Sequence, residues 1–241
     1  MSVDDRYTRS AEIYDVLYSE IVDYAAAAER LSLLIRERKP DATTILEAAC
    51  GTGSFLFHLQ GDFDVHGFDL SEDMLAIAGD KVPSAELRQG DMVDFEWNEK
   101  FDAVICMFSS IGYLTAAEDL ERAYRRFAAH LQPDGVLVVE PWFPPDVWTE
   151  GHIGTNRAEG TDITVLRMNS SWLEEDGRVS AMDMHHLVGR PGTVEHFVER
   201  HRLRLVTPSE HLAAFAAAGL AMEHDASGLI VERGLYVGGL S

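Results

Sequence analysis

The sequence predicts an α/β protein built on a parallel sheet with helices on both faces, and three features predict it. An apolar run, Ile45-Leu46-Glu47-Ala48, breaks into the loop Gly51-Thr52-Gly53 with a helical pattern behind it. Two glycines one residue apart let the backbone turn sharply and let a flat ligand come close. Val65-His66-Gly67-Phe68-Asp69-Leu70 reads as a second strand ending in an acid, at the spacing where nucleotide-binding sheets hydrogen-bond ribose hydroxyls. Gln89-Gly90-Asp91-Met92 places another acid at the end of a third strand. In open α/β sheets ligands bind beyond the carboxyl ends of the strands, near the switch in strand order. All three segments converge there.

The elements follow in order. Asp23 to Arg38 reads as a helix, with Leu31, Leu34 and Ile35 at helical spacing and Pro40 as its stop. Tyr7, Tyr14, Tyr18 and Tyr24 recur before and at its start. Strands are expected at 43–48, 64–70, 85–89 and 101–107, and a fifth at 136–140 after the turn Pro133-Asp134-Gly135. Helices are expected at 54–60, after Ser71 as N-cap with Asp73 in the first turn, and at 116–130. Strands alternating with helices argue for a parallel sheet. Pro141-Trp142-Phe143-Pro144-Pro145 then breaks the pattern. From Asp162 to Val206 three alternating segments are separated by turns at 175–177 and 189–192, which predicts an antiparallel meander of three strands. A helix from Pro208 to Gly219 and a last strand at Leu235–Val237 close the chain.

Composition bounds the function. The chain has 241 residues, 46% of them hydrophobic, enough for one α/β domain with an insertion. Its net charge of −21 argues against nucleic acid and anionic membranes, which reward basic patches. Acidity with only three lysines suits either a salt-loving source or a mesophile with an acidic surface. No apolar run reaches transmembrane length, and the first residues lack the features of a signal peptide, so a cytoplasmic protein is expected. Cys50 and Cys106 read as buried free thiols. His185, His186, His196 and His201 have no metal-motif spacing, so no metal is expected.

The glycine loop narrows the ligand. A dinucleotide fingerprint wants a third glycine where Leu56 stands, and a phosphate-cradling loop wants a lysine that is absent. S-adenosylmethionine (SAM) has an adenosine, no phosphate and a sulfonium cation. The arrangement resembles the Rossmann-like fold of class I SAM-dependent methyltransferases. Glu47 and Gly51-Thr52-Gly53 match the first motif of those enzymes, Asp69 their ribose-binding acid, and Asp91-Met92 their adenine-contacting pair. After the fourth strand, Ser109-Ser110-Ile111-Gly112-Tyr113 stands where nucleobase-amine methyltransferases carry Asn/Asp-Pro-Pro and an aromatic, so a nucleobase acceptor is disfavoured.

A narrower resemblance is carried by Cys106 to Leu114, by Phe127-Ala128-Ala129-His130 and by Val138-Val139-Glu140-Pro141-Trp142. These strings are similar to the TDP-3-amino-sugar N,N-dimethyltransferases of desosamine and mycaminose type, and the similarity spans most of the chain. It implies one methyltransferase domain over 1–241. Within it, 1–40 would form N-terminal cap helices, 41–145 the SAM-binding core, 146–207 an antiparallel substrate-binding insertion and 208–241 a return to the core. It implies SAM as cofactor, contacted by Tyr14, Tyr24, Glu47, Ala49, Gly51, Gly53, Asp69, Leu70, Met74, Asp91, Met92 and Met107. Tyr7, Tyr14, Tyr113, Trp142, His185, His201 and Arg233 would face the acceptor, with Arg233 on its diphosphate. Three places depart from the family pattern: Glu47 for Asp, Phe143 for a second Trp, and extra residues within Ser227–Leu235.

The expected reaction is N-methylation of a small-molecule amine, with the amino group of a TDP-linked sugar as the leading acceptor. Methyl transfer needs chiefly alignment of the amine lone pair, and a protonated amine must first lose its proton. Tyr113 is the candidate catalytic residue, for orienting the amine or taking that proton; loop packing is its alternative role. His201 shares a strand face with Phe197, Leu203 and Leu205 and reads as inward, as a substrate group or a satisfied core histidine. Two other functions stay open: methylation of a different amine or oxygen acceptor, and SAM binding without catalysis. A homodimer is allowed.

Overall fold

A computed structural model of the chain describes Tyr7, residues 9–229 and residues 233–241. The residues read for a signal peptide and Ile230-Val231-Glu232 of the extra segment near the C-terminus lie outside the described residues.

Five parallel strands, β1 (Thr44–Ala48), β2 (Asp64–Asp69), β3 (Glu86–Gln89), β4 (Phe101–Cys106) and β5 (Leu131–Val139), form one side of a seven-stranded sheet, with β3 at its edge. Its order is β10-β11-β5-β4-β1-β2-β3, where β10 is Leu220–Asp225 and β11 is Leu235–Leu240. β11 runs antiparallel to both β5 and β10. The order reverses between β1 and β4, which opens the crevice at their carboxyl ends.

Alternate residues of each strand feed two cores, as the period of two requires. Val104, Cys106, Leu137 and Val139 pack under α5 (Ala117–Ala129) and α6 (Pro208–Ala217). Ala103, Ile105, Val136 and Val138 pack with Leu31 and Ile35 of α2 (Tyr24–Arg38) and Leu56 and Leu59 of α3 (Ser54–Leu59). Helix starts obey their caps: Asp23 accepts from Ala26 N at 3.0 Å, and Ser71 accepts from Met74 N at the head of α4 (Glu72–Lys81). Cys50 and Cys106 are buried free thiols. Among the described residues no helix is long and apolar enough to cross a membrane.

Two elements differ from expectation. The antiparallel sheet has four strands, β6 (Ile153–Gly160), β7 (Ile163–Glu174), β8 (Val179–Arg190) and β9 (Thr193–Arg204), not three. The sequence of β6, Ile-Gly-Thr-Asn-Arg-Ala-Glu-Gly, has little apolar content to announce it, and it is recruited by pairing with β7 along eight residues. β10 was not expected either, because its edge position leaves most of its side chains in water. Ala11–Tyr18 forms a helix, α1, in the segment expected to hold cap helices, where the residue pattern itself showed only tyrosines in a polar setting. Its Ile13 and Leu17 pack on Val165, Val188 and Phe197 and so seat the antiparallel sheet against the N-terminal segment.

Candidate active site

A cavity of about 600 Å³ lies over the carboxyl ends of the parallel strands. The sheet forms its floor, the N-terminal tyrosines one wall and the inner face of the antiparallel sheet the other. Its two ends differ in charge. Around the glycine loop the charged lining residues are Asp69, Glu72, Asp73 and Asp91; toward the antiparallel sheet they are Arg167 and Arg233.

At the acidic end, Gly51 has φ +54°, and a Cβ there would meet nothing within 4 Å, so the loop presents bare backbone to the cavity. Asp69 holds that backbone in place: its carboxylate accepts from Gly51 N and from Ser71 N, both at 2.9 Å. Burial pushes its carboxyl up, and the N–H groups of Ser71 and Gly51 oppose the shift. Ala49, with φ +55°, Leu70, Met74, Asp91 and Met92 line the same end. Asp91 is held by Val93 N at 3.1 Å.

Four residues expected on the cofactor stand behind the lining. Gly53 N-caps α3 with φ +74°, and its Cα faces α4 closely enough that a Cβ would lie 3.1 Å from that of Ala78. Tyr24 packs edge-on against Phe55. Met107 is sealed in the lower core. Glu47 is buried, and its Oε2 has no hydrogen-bond partner. Burial drives its carboxyl well above the usual range, with Asp69 adding and Lys81 opposing.

Asp15 and Lys81 were not legible as site residues. Thr52 donates to Asp15 Oδ1 at 2.6 Å, and Lys81 Nζ lies 2.7 Å from Asp15 Oδ2 while donating to Thr52 and Ser54. The cluster clips α1 onto the glycine loop. Its members lie far apart in sequence, so no local motif announces it.

The loop after β4 joins the two ends. Phe108 and Ser109 both have left-handed φ, +53° and +65°, a conformation that costs non-glycine residues about 1–3 kcal/mol each and gathers at functional sites. It is held by Phe108 N donating to Glu140 (2.8 Å), by Ser109 Oγ donating to Pro141 O (2.6 Å), and by Arg233 donating to Ser109 Oγ (2.7 Å). The Arg233 guanidinium sits over Trp142, Phe143 and Phe108, 4.7, 4.9 and 5.5 Å from the ring centres, and its Nε has no partner. Burial lowers its pKa and Glu140 opposes this, but an arginine stays charged. Trp142 lines the cavity and donates to Ser180 at 2.9 Å.

Tyr113 ends a short 3-10 turn, Ser110–Tyr113. Its hydroxyl bonds the Tyr7 hydroxyl and lies 2.7 Å from Nδ1 of His201. Tyr7 and Tyr14 stack edge to face beside it, and burial pushes both phenols well above their usual range, so they remain neutral donors. His201 is buried behind Tyr113 and does not line the cavity.

His185 is a correction. It is exposed on the outer face of the antiparallel sheet, stacked on His196, with its neighbours Met182 and Met184 in the cavity wall instead. Period-two alternation turns the odd-numbered residues of β8 outward. Arg167, which bonds Asn156 and Tyr18, is a lining residue the sequence did not single out.

A parallel sheet of this order, with a glycine loop after β1 and acids ending β2 and following β3, is the scaffold of class I SAM-dependent methyltransferases. A family profile described as "Methyltransferase domain" matches residues 45–135. The chain is 43% identical to a dTDP-3-amino-3,4,6-trideoxy-alpha-D-glucopyranose N,N-dimethyltransferase of Streptomyces venezuelae, over 95% of this chain and 96% of that one. The crystal structure of Streptomyces venezuelae DesVI superimposes with a TM-score of 0.91 at 42% identity, covering 96% of this chain and 98% of that one. SAM-bound CalS10, an amino pentose methyltransferase from Micromonospora echinaspora, follows at 0.86 and 33% identity, covering 95% and 97%. The chain belongs to the family of SAM-dependent sugar N,N-dimethyltransferases, and it is a SAM-dependent N-methyltransferase.

Proposed function

We propose that the protein N-methylates the amino group of a TDP-linked amino sugar. The observation that carries this reading is the charge separation across one cavity. An acidic end with exposed loop backbone suits an adenosine and a sulfonium cation. An end with Arg233 and Arg167 among aromatic rings suits a nucleotide diphosphate. A different amine without phosphates would leave the cavity-facing donors of Arg233 without a phosphate to meet.

The residues present fit SAM. Asp69 and Asp91 offer carboxylates to a ribose and a base, while Glu47, its carboxyl raised by burial, lies beneath the loop with an unpartnered Oε2. When bound, SAM supplies an electrophilic methyl group. The chain's own part is binding, alignment and proton handling. Arg233 and Arg167 would anchor the diphosphate, and Tyr7, Tyr14 and Trp142 would wall the sugar. Tyr113 would hold the amine by its hydroxyl, so that the lone pair points toward the acidic end. The antiparallel sheet within 146–207 serves as the acceptor-binding insertion in this reading, and residues 41–145 as the SAM-binding core, between the cap of 1–40 and the return of 208–241.

The deciding experiment incubates the protein with SAM and a panel of TDP-amino sugars and simple amines, followed by mass spectrometry. A TDP-amino sugar should gain one or two methyl groups. Methylation of simple amines alone would overturn the reading. We also propose a homodimer: Ile153, Leu166, Met168, Leu187, Val194 and Val198 are exposed together on the outer face of the antiparallel sheet. A monomeric mass by light scattering would refute it.

A further inference from the structure

Behind the cavity wall a file of polar groups leads away from Tyr113. The Tyr113 hydroxyl meets Nδ1 of His201 at 2.7 Å. On the other side of that imidazole, Nε2 lies 3.9 Å from Oε2 of Glu199. His201 and Glu199 are 1% and 5% exposed. Both lie on the inner face of β9, two residues apart, as the strand period dictates. Glu199 Oε1 accepts from Ser10 N at 3.2 Å, while Oε2, toward the imidazole, has no hydrogen-bond partner. A carboxyl group buried this deeply with one idle oxygen is costly unless a charge arrives to use it.

We propose that Glu199, acting through His201 and Tyr113, receives the proton that the acceptor ammonium must lose before each methyl transfer. This rests on the reading of Tyr113 as the group that touches the acceptor amine. Neutral His201 accepts at Nδ1 from Tyr113 and keeps its proton on Nε2, facing Glu199. The Tyr113 oxygen, which meets the Tyr7 hydroxyl, is the atom that accepts the proton from the ammonium N–H. One N–H bond of the ammonium breaks as its proton passes to the Tyr113 oxygen, and the Tyr113 proton passes to Nδ1. The amine keeps the electron pair, which then forms the new N–C bond. The imidazolium gives its Nε2 proton to the facing Glu199 carboxylate, and Glu199 loses that proton to water before the next cycle. Each methyl thus releases one proton, and a second methylation repeats the cycle.

The surroundings favour this assignment. Among the described residues, the titratable and charged groups facing the pair are Tyr7 and Arg9 from the N-terminal segment, Tyr113 from the 3-10 turn and His186 on the inner face of β8; Asp183 of β8 turns outward onto Arg200. Burial lifts the Glu199 carboxyl, with Ser10 and Arg9 opposing. A carboxyl raised in this way holds a proton more readily than a surface glutamate does. Glu199 and His201 are positioning residues, since neither lines the cavity.

The test is the pH profile of turnover for Glu199→Gln beside wild type, with SAM affinity as control. Expected is a kcat about tenfold below wild type at pH 7, within the range for removing acid–base assistance, with the defect closing to about twofold as pH rises past the pKa of the substrate ammonium. There the amine arrives already neutral. A defect of equal size at every pH, or none at all, would overturn the relay. Should Glu199→Gln fail to fold, His201→Gln is judged by the same criterion. If wild type methylates only an amine without a nucleotide, the TDP-sugar reading falls, and the relay is judged separately with that amine.

Discussion

Removing the Arg233 side chain tests the proposed acceptor most directly. The guanidinium is half-buried over three aromatic rings, and one nitrogen already bonds Ser109. Arg233 lines the cavity, where its remaining terminal N–H groups can meet an anion, while Nε is buried without a partner. A charge-assisted hydrogen bond to a phosphate in such a setting is worth about 1.5–3 kcal/mol, which corresponds to roughly 10- to 150-fold in affinity. Arg233→Ala should therefore raise KM for a TDP-amino sugar by that factor. SAM binding, measured by calorimetry, should hardly change, because Arg233 lies at the end of the cavity away from the glycine loop. Loss of the Ser109 bond could loosen the strained loop and slow every acceptor alike. The control is the same amino sugar as a methyl glycoside, without nucleotide. It should lose no more than about twofold, the effect of one neutral hydrogen bond at the low end. An equal loss on both substrates would show that Arg233 only braces the loop, and the diphosphate assignment would fail.

Asp69→Ala should weaken SAM binding by about 1.5–3 kcal/mol, since its carboxylate both faces the cavity and holds Gly51 N; unchanged calorimetry would remove it from the cofactor site. Tyr113→Phe should lower kcat more than it weakens SAM binding, and increasingly so at low pH; wild-type turnover across pH would return it to packing. Gly112→Ala would bring a Cβ within 2.9 Å of Trp142 Cβ and 3.2 Å of Leu203, an overpacking expected to cost about 1–3 kcal/mol and to lower Tm by about 2–4 °C per kcal/mol. An unshifted melting curve would show that the turn relaxes freely. His211, buried against the Tyr124 hydroxyl at 2.7 Å, has its pKa lowered by burial to about 3. Because that value lies below the unfolded one near 6.5, its contribution is full above pH 6.5 and is lost as pH falls. At pH 5.5 the loss is about 1.4 kcal/mol, and His211→Gln should show a flatter decline of stability between pH 7 and 5.5 in chemical denaturation.

What could be read from the sequence was what local chemistry specifies. The core strands carry alternating or continuous apolar residues, and the acids at their ends follow from the fold, so Asp69 and Asp91 were legible together with the glycine loop. The four-stranded sheet was legible only where its strands were apolar on one side; polar β6 exists because β7 pairs with it. Side-chain direction is where reading failed. A family-matched histidine at 185 was carried inward, yet the register with β9 turns it out and puts Met184 in its place. The Asp15–Thr52–Lys81 clip and the Tyr113–His201–Glu199 file join segments remote in sequence. No periodicity or spacing within one element encodes such contacts, which arise only when α1 and β9 dock on the sheet.

A chain of net charge −21 can still recognise a dianion, because the long-range field and the site obey different length scales. In physiological salt, exposed charges are screened beyond about 8 Å, so the acidic surface weighs little on a ligand once it is inside. Within the cavity, low dielectric and fixed geometry make the nearest charges count most. Arg233 is held where it is by the ring faces of Trp142, Phe143 and Phe108 and by Ser109, so its cost of ordering is met during folding and not on binding. The same field that screens poorly at short range separates the two ligands: a sulfonium is repelled by the arginine end and a diphosphate by Asp69, Glu72, Asp73 and Asp91. Each wrong orientation places like charges together, at a cost of several kcal/mol. The surface charge then excludes long polyanions such as nucleic acid, whose affinity depends on many phosphate contacts at once, while leaving a small diphosphate free to enter.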